Sequence, residues 1–128
     1  MHTSLVLPRV DATPALRALC LAGAIGMAVQ VLFLIEPPIA QVVLAHVWDK
    51  CVHFLYFGTM AAFLYMAAGG RRPIAVWLLI VAIGALDETQ QIFAPGRSAE
   101  FLDWLADTLG AAAFISALRL GGIPCAES

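Results

Sequence analysis

Residues 74–93, IAVWLLIVAIGALDETQQIF, form an apolar run that becomes polar only near its end. In a helix, about 20 such residues are enough to cross the hydrocarbon core of a bilayer. Similar apolar stretches lie at 16–35, 51–68 and 101–120, and Gly or Pro occurs in the segments between them. Because Gly and Pro interrupt helices, the sequence predicts an all-α, four-helix bundle embedded in a membrane.

The composition supports this fold class. The chain is 62% hydrophobic and 12% charged, whereas soluble domains are about half apolar and about a quarter charged. A net charge of −2 provides no basic surface for nucleic acid. The three cysteines have no CxxC spacing, so neither a zinc site nor a disulfide framework is indicated.

The basic residues predict the orientation, because Lys and Arg are enriched in short cytoplasmic loops. If the four helices alternate in direction, five of the seven basic residues fall on one side: Arg9, Arg17, Arg71, Arg72 and Arg119. Both termini are therefore expected in the cytoplasm. We expect residues 1–15 to form a short cytoplasmic segment, 16–120 a single domain and 121–128 a cytoplasmic tail. The first apolar stretch is longer than the core of a signal peptide, so we interpret it as a helix.

Polar residues collect at the outer ends of three predicted helices. Residues three or four apart share a helix face, and this spacing relates Asp49 to His53, Asp87 and Glu88 to Gln91, and Asp103 to Asp107. Ionised groups in a bilayer usually face the bundle interior or a wet cavity. Each of the three helices thus carries one stripe of polar residues. The three stripes are expected to face one another around a pocket open to the outside. Small residues one turn below Asp107, at Gly110 and Ala111, would let a neighbouring helix approach.

The stripes supply the candidate site residues. His53, Glu88 and Asp103 are candidate acid/base groups, and the candidate ligand-binding residues are Asp49, Lys50, Gln91, Arg97, Ser98 and Asp107. The alternative is structural: Asp49 could cap helix two, and Ser98 or Asp103 could cap helix four. In that interpretation the remaining charges form a buried ion-pair network.

Arg97 has two interpretations. In the PGRS turn at a helix start, its guanidinium and the free backbone N–H groups could bind a phosphate or carboxylate. Alternatively, it could form a salt bridge with Glu88 or Asp103. Lys50 fits an interfacial lysine that extends toward the membrane surface.

The same residues could also form a metal site. His53 with Glu88, Asp103 and Asp107 could offer one nitrogen and several oxygens, but no ligand-spacing motif connects them. We therefore predict no metal and no cofactor. Trp48 and Trp104 fit an interfacial aromatic belt, and Tyr56 could form a hydrogen bond into the site.

From Asp49 to about Leu120 the chain resembles the VanZ-like family of small bacterial membrane proteins. The resemblance rests on Asp49-Lys50-x-x-His53, on Glu88-x-x-Gln91, and on Pro95-Gly96-Arg97-Ser98 followed by Asp103. The family usually has asparagine where this chain has Asp107. Compared with asparagine, the aspartate keeps a hydrogen-bond acceptor and loses the amide donor. The resemblance implies a link to the cell envelope or to glycopeptide (teicoplanin) resistance.

These observations lead to two function hypotheses. One is a multi-pass protein of the bacterial inner membrane whose pocket binds the anionic head group of a phospholipid or polyprenyl phosphate, with or without acid/base chemistry. The other is a non-catalytic scaffold or partner-binding subunit whose acidic cluster is an ion-pair lock. An ion pathway ranks lower, because the inner halves of the helices contain no ionisable residue apart from the arginines at their cytoplasmic ends. A homo-oligomer is compatible with either hypothesis.

Overall fold

The computed structural model describes residues 12–33, 46–95 and 98–121, and every regular element in these ranges is an α-helix. The helices are α1 (Pro14–Phe33), α2 (His46–Ala67), α3 (Pro73–Phe93) and α4 (Phe101–Leu120). Three of them, α1, α3 and α4, are long and apolar enough to cross a membrane. The predicted all-α, four-helix fold is confirmed, whereas the side of the membrane on which the termini lie stays a prediction.

The turn between α2 and α3 reverses the chain through left-handed backbone. Gly69 and Gly70 have φ values of 68° and 71°, and Arg72 has a φ of 57°. The Gly70 N–H donates to the Tyr65 carbonyl at 2.9 Å, which satisfies a carbonyl at the end of α2. Nε of Arg17, in α1, donates to the Ala67 carbonyl at 3.0 Å. The end of α2 is thus capped both locally and from α1.

The most extensive helix contact joins α2 to α4, and α2 also packs on α1 and α3. Its close approach to α4 depends on Gly110, where an added Cβ would collide with the Phe54 carbonyl. The expectation that Gly110 lets a neighbouring helix come close is confirmed. Ala111 is fully buried in the apolar core. The bundle is therefore built around the α2–α4 contact, and the polar residues lie at one end of it.

Candidate functional site

The deepest polar contact joins His53 of α2 to Asp107 of α4. Nδ1 of His53 and Oδ1 of Asp107 are 2.8 Å apart. When Asp107 is ionised, its carboxylate only accepts hydrogen bonds, and Nδ1–H is then the donor. Asp107 is fully buried, and its second oxygen, Oδ2, lies against Gly84 of α3, where an added Cβ would be 2.9 Å away. Oδ2 has no hydrogen-bond partner. The pair fixes the orientation of the imidazole.

Nearer the helix ends, Lys50 joins α2 to the start of α4. Its Nζ donates to Oε2 of Glu100 at 2.8 Å and to Oδ1 of Asp103 at 2.9 Å. Asp103 is only 3% exposed, so its carboxylate depends on this ammonium for charge compensation. Lys50 therefore forms ion pairs between α2 and the start of α4. The sequence had indicated only an interfacial position for this residue.

The contribution of α3 comes from Asp87, Glu88 and Gln91, all of which are buried. Oε2 of Glu88 accepts a hydrogen bond from the Glu100 N–H at 2.9 Å, whereas its Oε1 is buried without a hydrogen-bond partner. Nε2 of Gln91 donates to Oδ2 of Asp87 at 3.2 Å. The polar stripes of α2, α3 and α4 thus meet, as their spacing predicted.

The remaining predicted residues take different positions. Asp49 is half-buried in the first turn of α2, and Ser98 is exposed before α4. Arg97 lies outside the described residues, so both interpretations of it remain predictions.

The capping alternatives are wrong for Asp49, Ser98 and Asp103. The first of these lies inside α2, which begins at His46. The N-cap residue of α4 is Glu100, which makes no side-chain capping hydrogen bond. Asp49 was placed too close to a helix end because the predicted start of α2, at 51, is five residues later than its start at His46.

Two functional candidates were missed by sequence reasoning. Glu100 holds Lys50 with its side chain and Glu88 with its N–H, but it lies just before the predicted helix at 101–120. Its spacing of three from Asp103 was the available signal. Asp87 was recognised as part of the α3 stripe but was not selected as a site residue. Its spacing of four from Gln91 was the available signal.

The side chains of Tyr56 and Trp104 form hydrogen bonds to neighbouring helices. The Tyr56 hydroxyl donates to the Met27 carbonyl of α1 at 2.9 Å, and the bond into the site stays a prediction. The Trp104 indole N–H donates to the Val81 carbonyl of α3 at 3.1 Å. This tryptophan joins two helices, whereas Trp48 is 66% exposed, as an interfacial residue would be.

An open apolar groove of about 530 Å³ runs between α2 and α4 beside these polar contacts. Its lining is Lys50, Cys51, Phe54, Leu55, Leu102, Leu105, Ala106 and Leu109. Lys50 is the only charged residue in that lining. The groove therefore has a hydrocarbon-like wall that includes one charged residue, Lys50.

Among the described residues, two sets of side chains have ligand atoms close enough to share a cation. One is Asp49, His53 and Asp103, and the other is His53, Asp87 and Glu88. Within each set, one ligand atom per residue lies within 4.8 Å of the others. His53 belongs to both sets and is the centre of the polar cluster.

Comparison with known proteins gives a family. No curated protein and no solved structure matches the chain. The model of the VanZ/LLP1 family matches residues 16–121, which include all but the first two residues of the four helices. The chain therefore belongs to the VanZ/LLP1 family, and the resemblance noted from its polar motifs is confirmed.

Proposed function

We propose that this VanZ/LLP1 protein binds an envelope lipid with an anionic head group at the outer face of the bacterial inner membrane. The groove between α2 and α4 takes a hydrocarbon chain, and the polar cluster beside it takes the head group. The ligand class is a phospholipid or polyprenyl phosphate.

The observation that carries this proposal is the position of Lys50 in an otherwise apolar groove. An ammonium has three donors, and two of them reach Glu100 and Asp103. A phosphate in the groove would engage the third and share the charge of Lys50. The volume of about 530 Å³ falls within the range of ligand sites.

Acid/base chemistry on the bound head group would fall to His53. Its ring is oriented by Asp107 at 2.8 Å, the arrangement that holds an imidazole for proton transfer. Glu88, with one buried free oxygen, would be the second proton-transfer group. Asp103 would act through Lys50, which it holds at 2.9 Å, and Arg97 would supply a further anion contact.

Native mass spectrometry of the protein released gently from its own membrane tests lipid binding. Leu105→Trp fills the groove, and Leu78→Trp, on an exposed position of α3, is the matched control. We expect a co-purified phosphate-containing lipid with wild type and Leu78→Trp, and its loss with Leu105→Trp. Arg97→Ala in the same experiment tests the predicted anion contact. Equal lipid occupancy in wild type and Leu105→Trp would contradict the groove as the binding site.

The alternative function, a non-catalytic scaffold with an ion-pair lock, is favoured by a different observation. Both inter-helix ion-pair systems, Lys50 with Glu100 and Asp103, and His53 with Asp107, join α2 to α4. A lock of this kind would hold the bundle together without any ligand.

The two proposed functions can be distinguished in cells that depend on the protein. The proposed phenotype is teicoplanin susceptibility. A site predicts that His53→Ala and Glu88→Gln abolish the phenotype while the protein stays folded and abundant. A lock predicts that the same changes act through loss of the folded protein. Immunoblotting of membrane fractions beside the susceptibility assay distinguishes the two outcomes.

A further inference from the structure

We propose that His53, Asp87 and Glu88 form a binding site for one divalent transition-metal ion, of the Zn²⁺ or Mn²⁺ class. The inference does not depend on lipid binding, and an ion on Nε2 of His53 would replace the proton-transfer role of that residue. It rests on the geometry of the three side chains, on a buried oxygen without a partner, and on the distribution of positive charge.

The geometry brings three ligand types together from two helices. One ligand atom each of His53, Asp87 and Glu88 lies within 4.8 Å of the other two. Ligands about 2.0–2.2 Å from a metal are separated by roughly 3.3–4.4 Å. Closing the set around an ion therefore needs side-chain movements on the order of 1 Å. One imidazole nitrogen and carboxylate oxygens suit Zn²⁺ and Mn²⁺ better than a soft ion.

His53 is already oriented as a metal ligand would be. Its Nδ1 is held at 2.8 Å by Oδ1 of Asp107, which leaves Nε2 as the nitrogen for a cation. Metal-binding histidines commonly donate their other ring N–H to a carboxylate, which fixes the tautomer and makes the ligating nitrogen more basic. Asp107 is thus a positioning residue for His53.

Glu88 supplies the independent observation. The residue is 9% exposed, one oxygen accepts the Glu100 N–H, and Oε1 is buried with no hydrogen-bond partner. A buried acceptor without a donor costs about 1–3 kcal/mol, and more when it is charged. A cation bound by Oε1 would remove that cost.

Charge distribution points the same way. Glu88 and Asp107 are buried at one end of the bundle, and each has one buried oxygen with no hydrogen-bond partner. Of the Lys and Arg side chains in the described ranges, only Lys50 lies at that end, and its ion pairs go to Glu100 and Asp103. Buried carboxylates are normally paired with a cation or coordinate a metal.

The alternative set, Asp49, His53 and Asp103, fits an ion less well. The ammonium of Lys50 lies 2.9 Å from Oδ1 of Asp103, so a cation there would compete with an existing positive charge. We therefore assign the ion to the Asp87 and Glu88 side of His53.

Mn²⁺ binding to the full chain, purified in detergent and stripped of metal with a chelator, tests the site. Loss of the free Mn²⁺ signal in electron paramagnetic resonance measures affinity, and ¹⁴N hyperfine coupling reports an imidazole ligand. We expect one ion per chain and ¹⁴N coupling in wild type. His53→Gln should abolish the coupling, and Glu88→Gln should weaken binding by about tenfold or more.

Gln90→Ala is the matched control, because Gln90 is an exposed residue of α3 that lies outside the set. It should retain wild-type affinity within a few-fold. The proposal is overturned if wild type binds no Mn²⁺, if the bound ion lacks ¹⁴N coupling, or if Glu88→Gln and Gln90→Ala weaken binding equally. Circular dichroism establishes that each variant is folded.

The result can be told apart from the lipid test. Leu105→Trp, which fills the groove, leaves the three ligands in place and should bind Mn²⁺ as wild type does. Loss of lipid with retained Mn²⁺, or the reverse, identifies which of the two proposals fails.

Discussion

Gly110 allows the sharpest test of the packing that assembles the polar cluster. In Gly110→Ala, the new Cβ would lie 2.9 Å from the carbonyl carbon and 3.0 Å from Cα of Phe54. Carbon atoms prefer separations of about 3.5–4.0 Å, so α2 and α4 must move apart by roughly 0.5–1 Å. The obstructing atoms belong to the backbone and cannot rotate away.

The expected cost follows from three opposing contributions. Overpacking of this kind costs about 1–3 kcal/mol, and lengthening the buried His53–Asp107 hydrogen bond adds on the order of 1 kcal/mol. Replacing a helical glycine by alanine returns about 1 kcal/mol. Gly110→Ala should therefore lower the free energy of unfolding by about 2 kcal/mol.

Gly26→Ala is the control, since nothing lies within 4 Å of a Cβ added at Gly26 in α1. The same chemical change should there stabilise the protein by up to about 1 kcal/mol. Reversible unfolding in mixed micelles, followed by tryptophan fluorescence, measures both variants. If their unfolding free energies agreed within about 0.5 kcal/mol, the close approach of α2 and α4 would be refuted.

Three further predictions use the same unfolding assay. Asp107→Asn keeps an acceptor for His53 and should be at least as stable as wild type, whereas Asp107→Leu leaves the ring donor unpaired and should cost about 1–3 kcal/mol; equal stability of the two would contradict the pair. Lys50→Met should destabilise by about 1–3 kcal/mol because Asp103 is left buried and unpaired, and adding Asp103→Asn should restore at least half of that loss; no recovery would show that the ion pair is unimportant. Trp104→Phe should cost about 1 kcal/mol through the lost indole hydrogen bond to α3, and an unchanged unfolding free energy would refute that contact.

The general fold could be predicted from sequence because the bilayer imposes a strong constraint. Four apolar stretches of about 20 residues each can satisfy their backbone hydrogen bonds in a bilayer as four spanning helices. The Gly-Gly pair at 69–70 marks the chain reversal between two of them, and the structure places both glycines in left-handed backbone. Helical periodicity also predicted that the polar residues of α2, α3 and α4 share an interior. These inferences depend only on spacing along one helix.

The individual partners could not be predicted in the same way. The bonds from Lys50 to Glu100 and from Tyr56 to α1 join residues 50 and 29 positions apart. Such pairings depend on how each helix is rotated about its axis and on the path of the chain just before α4. Residue spacing within one helix determines neither. The start of α2 was also placed too late, because Asp49 and Lys50 resemble loop residues when they are considered without their partners.

The α3 carboxylates have a consequence for how the protein is made. Glu88 precedes α4 in the chain, so it leaves the ribosome before the Glu100 N–H that binds it has been synthesised. An unsatisfied ionised group within a bilayer costs at least a few kcal/mol. The third helix on its own is therefore a poor candidate for stable insertion, and its residence in the membrane is secured when the fourth arrives. Biogenesis should accordingly treat α3 and α4 as one inserting unit, with a nascent chain that ends before α4 held at the translocon.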